Sequence, residues 1–395
     1  VALSVGIAFR PLDVTRESLR LELRCGSDVT PVNFRLLDAE QQDASLAWSP
    51  EAQFAAGIIP AMRSGFPLRI DGLLDAKFHG NIAAVQTLLG CWNGDLRAVE
   101  VQGTSGKPRW DPAPARQALF FSGGVDSTFS LLRHPDAITD LVYVHGFDVP
   151  LAETGLRRAV SGYLRRVAGM FGLNLIEIET DLRSLLDRHC SWRRAGHGVA
   201  IAAVAHLLQE RFSRVFISST YSYDILVPCG THPLLDPLWS TASLEFVHDG
   251  ADTSRAGKVV RVARNADARR LLRVCWKAPR ADRVNCCRCE KCLRTMVALQ
   301  AVGELHAEEA FPLPLERSAV RRLRLTPAIC NLWCENRDLL LQNGRDPELL
   351  ATVERLIEPN PFRRWKQQIK AWNRQRRLRR RQCRKQEISI IHDKH

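Results

Sequence analysis

Over the first hundred residues the apolar positions fall into short runs at 5–8, 19–23 and 34–37, each bounded by polar or turn residues and each of strand length. Longer stretches at 51–62 and 75–89 carry apolar residues three and four apart and predict helices, with further strands at 68–70 and 96–101. This unit, 1–105, reads as an α+β accessory domain without a catalytic cluster, and 103–114, with its Gly, Lys and Pro, reads as a linker. The pattern then alternates. Strands are predicted at 117–121, 141–144, 173–178, 215–217 and 244–247, with helices at 152–170 and 196–211 between them. Such alternation predicts an α/β domain over 115–270, a five-stranded parallel sheet with helices on both faces. From 271 to 358 the pattern is helical, interrupted by Pro312, Pro314 and Pro327, and Pro359 and Pro361 mark the start of a tail, 359–395.

Composition changes this picture in two places. The 395-residue chain is 45% hydrophobic, enough for two or three domains with real cores. Its net charge of +13 suggests nucleic acid, but twelve Lys and Arg lie in 363–385 with no Asp or Glu among them. The rest of the chain is close to neutral, so RNA, a membrane surface or an acidic partner is expected at the tail and not at the catalytic domain. The longest apolar runs, such as 199–208, fall well short of the roughly 20 residues a membrane span needs. No basic leader precedes the apolar start, and five of the twelve cysteines crowd between Cys275 and Cys292, in metal-type and not disulfide-type spacing. A cytoplasmic location is the expectation.

The chemistry begins where the strand at 117–121 breaks into Ser122, Gly123, Gly124, Val125, Asp126, Ser127 and Thr128 before a helix. A Gly-rich turn between strand and helix aims backbone N–H groups and the positive helix end at one spot, which suits phosphate. Ser122, Ser127 and Thr128 add hydroxyls, and Asp126 could hold a metal ion that bridges phosphates. No Lys follows the glycines, so this is not a Walker loop. Ser122, Gly123, Gly124, Asp126 and Ser127 resemble the Ser-Gly-Gly-x-Asp-Ser signature of the PP-loop ATP pyrophosphatase superfamily. That resemblance implies a Rossmann-like sheet of the HUP type. It also implies cleavage of ATP to AMP and pyrophosphate, with adenylation of a substrate oxygen and displacement of AMP by nitrogen or sulfur.

Ligands of parallel sheets bind beyond the carboxyl ends of the strands, so residues just after each strand are candidates. His145 and Asp148 follow the second strand, and the resemblance places the adenine pocket there. Thr180 and Asp181 follow the third and suit a helix N-cap. Residues 218–224, dense in hydroxyls, and the loop 230–236 follow the fourth, with Asp224 and Asp236 as candidates for magnesium or substrate. His197 opens the apolar helix, where it serves either as an anion contact or as a core residue. Arg255 and Lys258 share a helix face after the fifth strand. The resemblance implies a Lys here that holds the leaving pyrophosphate, and Lys258 is the candidate, with Asp126 and Ser127 as the other catalytic residues.

Cys275, Cys286, Cys289 and Cys292 offer four thiolates for a tetrahedral zinc site, with an iron–sulfur cluster as the alternative metal and Cys287 as an extra thiol that either replaces Cys286 or points away. Cys330 and Cys334 sit one helical turn apart and read as packing residues. A PP-loop domain followed by this cysteine pattern resembles 7-cyano-7-deazaguanine synthase over roughly 117–300, with Cys287 where that family has Gly. The resemblance implies ATP, Mg2+ and Zn2+ as cofactors and a carboxylate or nucleobase-like substrate that ammonia converts to an amide and a nitrile. Two other readings stand beside it: a tRNA sulfur-transfer enzyme with an iron–sulfur cluster or persulfide, and a non-catalytic nucleotide-binding scaffold. A homodimer is among the assemblies these readings allow.

Overall fold

In the computed structural model, which describes residues 6–38, 44–106, 116–275, 284–306 and 310–358, the chain opens as an antiparallel meander of β1 (Ile7–Val14), β2 (Ser18–Cys25) and β3 (Asp28–Leu36). Along β2, Leu19, Leu21 and Leu23 turn into the core while Arg20 and Arg24 face outward, the two-residue period of a strand covered on one face. Next come α1 (Pro50–Ser64), β4 (Leu68–Asp75), α2 (Ala76–Trp92) and β5 (Val101–Gly106), with β4 parallel to β1 and β5 parallel to β4. The strand expected at 96–101 begins only at its last residue. The backbone N–H groups before it are taken elsewhere: Arg97 donates to the Met62 carbonyl at 2.9 Å and Val99 to the Gln86 side chain at 2.8 Å. The first residues of the expected linker are therefore in β5, and 107–114 lie outside the described residues.

The alternating part supplies β6 (Gln117–Phe120), α3 (Val125–Arg133), β7 (Asp140–His145), α4 (Thr154–Phe171), β8 (Asn174–Thr180), α5 (Leu182–Leu186), α6 (His197–Leu207), β9 (Arg214–Ser218) and β10 (Glu245–Asp249). The five strands are parallel, in the order β10-β9-β6-β7-β8. They do not form a sheet of their own, and the expectation of a five-stranded sheet is corrected here. The free edge of β8 pairs antiparallel with β3, Phe34 opposite Thr180 and Leu36 opposite Ile178, to give one ten-stranded sheet. An exposed β8 edge would carry unpaired backbone groups, and β3 covers it. Asp181 seals the joint by accepting from the Asn33 backbone N–H at 2.8 Å and its side-chain amide at 2.6 Å. That carboxylate caps no helix; Thr180 Oγ1 accepts from Leu182 N–H instead.

Sheet and core both cross the boundary expected near residue 105. Ala118, Val142, Val144, Ile176 and Ile178 face the same buried layer as Leu19, Leu21 and Phe34. α1 and α6 pack against each other in that layer, brought close by the fully buried Ala52, Ala55 and Ala56 of one and Ala202 and Ala203 of the other. The neighbouring strand positions, Leu119, Leu141 and Tyr143, face the opposite layer and meet Val160, Tyr163 and Leu164 of α4. A third core, around Leu293, Met296 and Trp333, joins α3 to α7 (Arg255–Ala263), α8 (Ala266–Arg270), α9 (Glu290–Val302), α10 (Arg317–Arg321), α11 (Pro327–Asn343) and α12 (Pro347–Ile357). The basic stretch 363–385 lies outside the described residues. Among the described residues no helix is long and apolar enough to cross a membrane.

Candidate functional site

Strand order reverses at β6, with β7 and β8 to one side and β9 and β10 to the other. A crevice opens at such a switch point beyond the carboxyl ends of the strands. Here it is a cleft of about 330 Å³ lined by Ser122, Gly124, Asp126 and Ser127 of the expected phosphate loop. The loop is held in shape by its own hydroxyls: Ser127 Oγ donates to the Gly124 carbonyl at 3.2 Å and accepts from the Ser122 N–H at 3.4 Å. Gly123 has φ +77°, and a Cβ there would collide with the Tyr163 ring and hydroxyl, so the turn requires glycine. Gly124 occupies the N-cap position of α3 without a capping side chain, which leaves the first turn of that helix open toward the loop. Gly123, Val125 and Thr128 shape the turn without lining the cleft; Val125 and Thr128 are buried beneath it.

Asp126 is ion-paired with Arg255, and Lys258 Nζ lies 3.6 Å from its other oxygen. Burial pushes the Asp126 carboxyl up, but the charges of Arg255, Lys258 and Arg294 outweigh it and hold the group below the ordinary carboxylate range. Lys258 is 1% exposed and does not line the cleft. Its ammonium donates to the Ser219 carbonyl at 2.5 Å and sits 5.8 Å from the Phe129 ring centre, beneath Asp126. Burial pushes this amine below its ordinary value, against the pull of Asp126. Arg255, one helical turn earlier, is the residue of the pair that reaches the cleft.

Three further cations line the cleft, none of them anticipated. Arg273 donates its backbone N–H to the Gly123 carbonyl at 2.8 Å and Nη1 to the Ser122 carbonyl at 3.0 Å, bracing the loop from behind. Lys291 and Arg294 come from the first turns of α9. The available signal was their position either side of Cys292. The rest of the cleft lining is mixed, with Phe147, Asp148, Ile201, His197 and Thr231. His197 follows a single π-helical turn, Trp192–Gly196; one ring nitrogen bonds the Trp192 carbonyl at 3.0 Å and the other lies 3.2 Å from Thr231 Oγ1.

Several expected residues lie elsewhere. His145 is fully buried, 2.8 Å from Glu177, and does not line the cleft, whereas its neighbours Val144, Phe147 and Asp148 do. Asp236 is spent on His248 at 2.6 Å and on the His232 backbone N–H at 3.1 Å. Asp224 is exposed and outside the cleft.

Cys275, Cys286, Cys289 and Cys292 converge, their sulfurs all within 4.8 Å of one another. The pairs Cys275–Cys289 and Cys286–Cys292 are each 3.9 Å apart. A tetrahedral zinc with Zn–S near 2.3 Å requires sulfurs about 3.8 Å apart, so the cluster could hold such an ion. Cys289 N–H points at Cys286 Sγ at 3.3 Å, a backbone donor to a sulfur of the cluster. Asn285, fully buried, ties the two arms of the knuckle together. Its Oδ1 accepts from Val274 N–H and Cys275 N–H, at 2.9 and 3.1 Å, and its Nδ2 donates to the Leu272 and Ala310 carbonyls. Cys287 is not in the cluster; its φ of +57° turns the chain and directs its thiol to the Asn285 carbonyl.

No protein family, curated protein or solved structure matches the chain.

Proposed function

We propose that the chain is an ATP-dependent ligase of the PP-loop type, on a Rossmann-like half-sheet, that adenylates a carboxylate or amide for attack by a nitrogen nucleophile. The observation that carries this reading is the convergence of Arg255, Arg273, Lys291 and Arg294 on the loop 122–127, with the Asp126 carboxylate among them. Such a cation set suits a polyphosphate, and a loop of N–H and hydroxyl donors before a helix suits its β and γ groups. In this reading Arg255, Arg273 and Arg294 spread the charge that develops on departing pyrophosphate, and Lys258 acts from below by holding Asp126 ionised. Asp126 and the hydroxyls of Ser122 and Ser127 are the groups that would hold Mg2+, whose part is to shield phosphate charge. The mixed part of the lining, with Phe147, Ile201, His197 and Thr231, receives the acceptor. Its mixed apolar and polar character fits a planar, nucleobase-like carboxylate of the kind taken by 7-cyano-7-deazaguanine synthase.

Zinc at the four cysteines is structural in this reading, since all four ligand positions are filled by protein. The test is to incubate the zinc-loaded protein with ATP, Mg2+, ammonia and a panel of carboxylates, nucleobase-like ones included, and to separate the nucleotides. AMP and pyrophosphate formed only with an acceptor are expected. ADP and phosphate as the products, or ATP untouched with every acceptor, would overturn the assignment.

A further inference from the structure

The cleft cations and the metal-ligating cysteines occupy the same short segments. Arg273 is two residues before Cys275, and Cys275 itself lines the cleft. Cys289 sits at the N-cap of α9 and Cys292 in its first turn, with Lys291 between them and Arg294 two residues beyond. Whatever fixes the cysteines therefore fixes three of the four cations that face the phosphate loop.

Arg294 gives this juxtaposition chemical content. It is 6% exposed and lines the cleft, and its Nη1 is buried without a hydrogen-bond partner among the described residues. Its Nε lies 2.9 Å from Glu290, but Glu290 is shared with the Trp333 indole N–H. A buried guanidinium with an unspent donor is costly, and an anion brought against the part of Arg294 that lines the cleft offsets that cost.

We propose that metal loading of the four-cysteine knuckle and binding of a polyphosphate in the cleft are thermodynamically linked, with Arg294 and Lys291 carrying the coupling. The inference rests on the anion-binding part of the reading above and not on its ligase chemistry. Metal draws the two cysteine arms together, which holds the start of α9 and sets both side chains toward the loop. The bound anion in turn favours the closed knuckle. Linkage is reciprocal, so the two affinities must change by the same factor.

The experiment uses the full chain, purified without oxygen, with inorganic tripolyphosphate as the probe. Calorimetry compares zinc-loaded and chelator-stripped protein, and zinc transfer to a competing chromogenic chelator is followed with and without tripolyphosphate. The second measurement starts from folded, loaded protein and so reads the linkage even where stripping unfolds the knuckle. Tripolyphosphate is expected to bind about tenfold or more tighter to the loaded form and to weaken zinc transfer by a matching factor. R294Q, which removes no metal ligand, is expected to retain its zinc and to lose most of the coupling. Equal tripolyphosphate affinities with an unchanged zinc transfer, or full coupling in R294Q, would overturn the proposal. Linked binding of tripolyphosphate without AMP formation from ATP sustains the linkage while the ligase reading falls. AMP formation with zinc-independent anion binding does the reverse.

Discussion

Asp126 is ion-paired with Arg255 inside the cleft, and Lys258 stands behind the pair, 3.6 Å from the same carboxylate. One acidic group is thus held by two cations in a place where burial alone would raise its pKa. D126N keeps the shape but leaves Arg255 and Lys258 without their counter-charge. It is expected to abolish AMP and pyrophosphate formation while the folded protein persists. Turnover at the unmodified rate would remove Asp126 from the chemistry.

The same pair sets an acid limit on stability. The folded-state pKa of Asp126 lies below its unfolded value, so its contribution is complete above the ordinary carboxylate pKa of about 3.9 and is lost as pH falls through the folded value. R255A should raise the pH at which this loss occurs and cost about 1–3 kcal/mol at neutral pH, because it removes the hydrogen-bonded cation of a buried charge and leaves only the more distant Lys258. Urea unfolding of both proteins at several pH values measures the difference, and superimposable pH profiles would contradict it.

Gly123 combines φ +77° with a neighbour, Tyr163, that leaves no room for a Cβ. G123A should therefore cost about 1–3 kcal/mol in stability and displace the loop that Arg273 braces. Loss of tripolyphosphate binding at a temperature where the variant is still folded is the expected outcome. Undiminished binding would show that the turn is not needed for the anion.

The loop 122–128 was legible because its signal is local: a strand, two glycines and a helix in one short run. The cysteine cluster was legible for the same reason, three of its four ligands lying within seven residues. The ten-stranded sheet was not. The pairing of Phe34 with Thr180 joins strands far apart in the chain, and nothing in either pattern says which edge finds which. The cleft cations were hidden in another way. Arg255 and Lys258 lie on one helix face, and only the packing of α7 against α3 decides that the arginine enters the cleft while the lysine goes beneath it. Lys291 and Arg294 were invisible because their convergence depends on how α9 leaves the knuckle.

Within the knuckle, Asn285 and Cys287 make opposite predictions. N285A removes four hydrogen bonds from a fully buried amide and strands two backbone N–H groups next to a ligand. It should cost about 2–3 kcal/mol or more and lower metal retention. C287G puts glycine at a φ of +57° where the thiol is not part of the cluster, and it should keep one metal ion per chain. Metal analysis after gel filtration compares them. Loss of metal from C287G would place Cys287 in the ligand set.

The joint between β3 and β8 predicts how the chain tolerates truncation. Removing residues 1–115 would expose the β8 edge and leave the Asp181 carboxylate without Asn33. It would also strip α1 from α6, whose Ala202, Ala203 and Val204 are fully buried in the intact chain. At about 25 cal/mol per Å² of apolar surface, one helix face is worth a large share of the 5–15 kcal/mol that holds a domain together. The truncated chain is expected to aggregate or to bind a dye specific for exposed apolar surface, although it keeps the whole loop 122–128 and all four clustered cysteines. D181A in the full chain should weaken the same joint more gently, lowering the melting temperature by a few degrees. A soluble, cooperatively melting fragment that still bound tripolyphosphate would mean that the first hundred residues form a separable unit after all, and that the shared sheet is an interface between two domains and not one core.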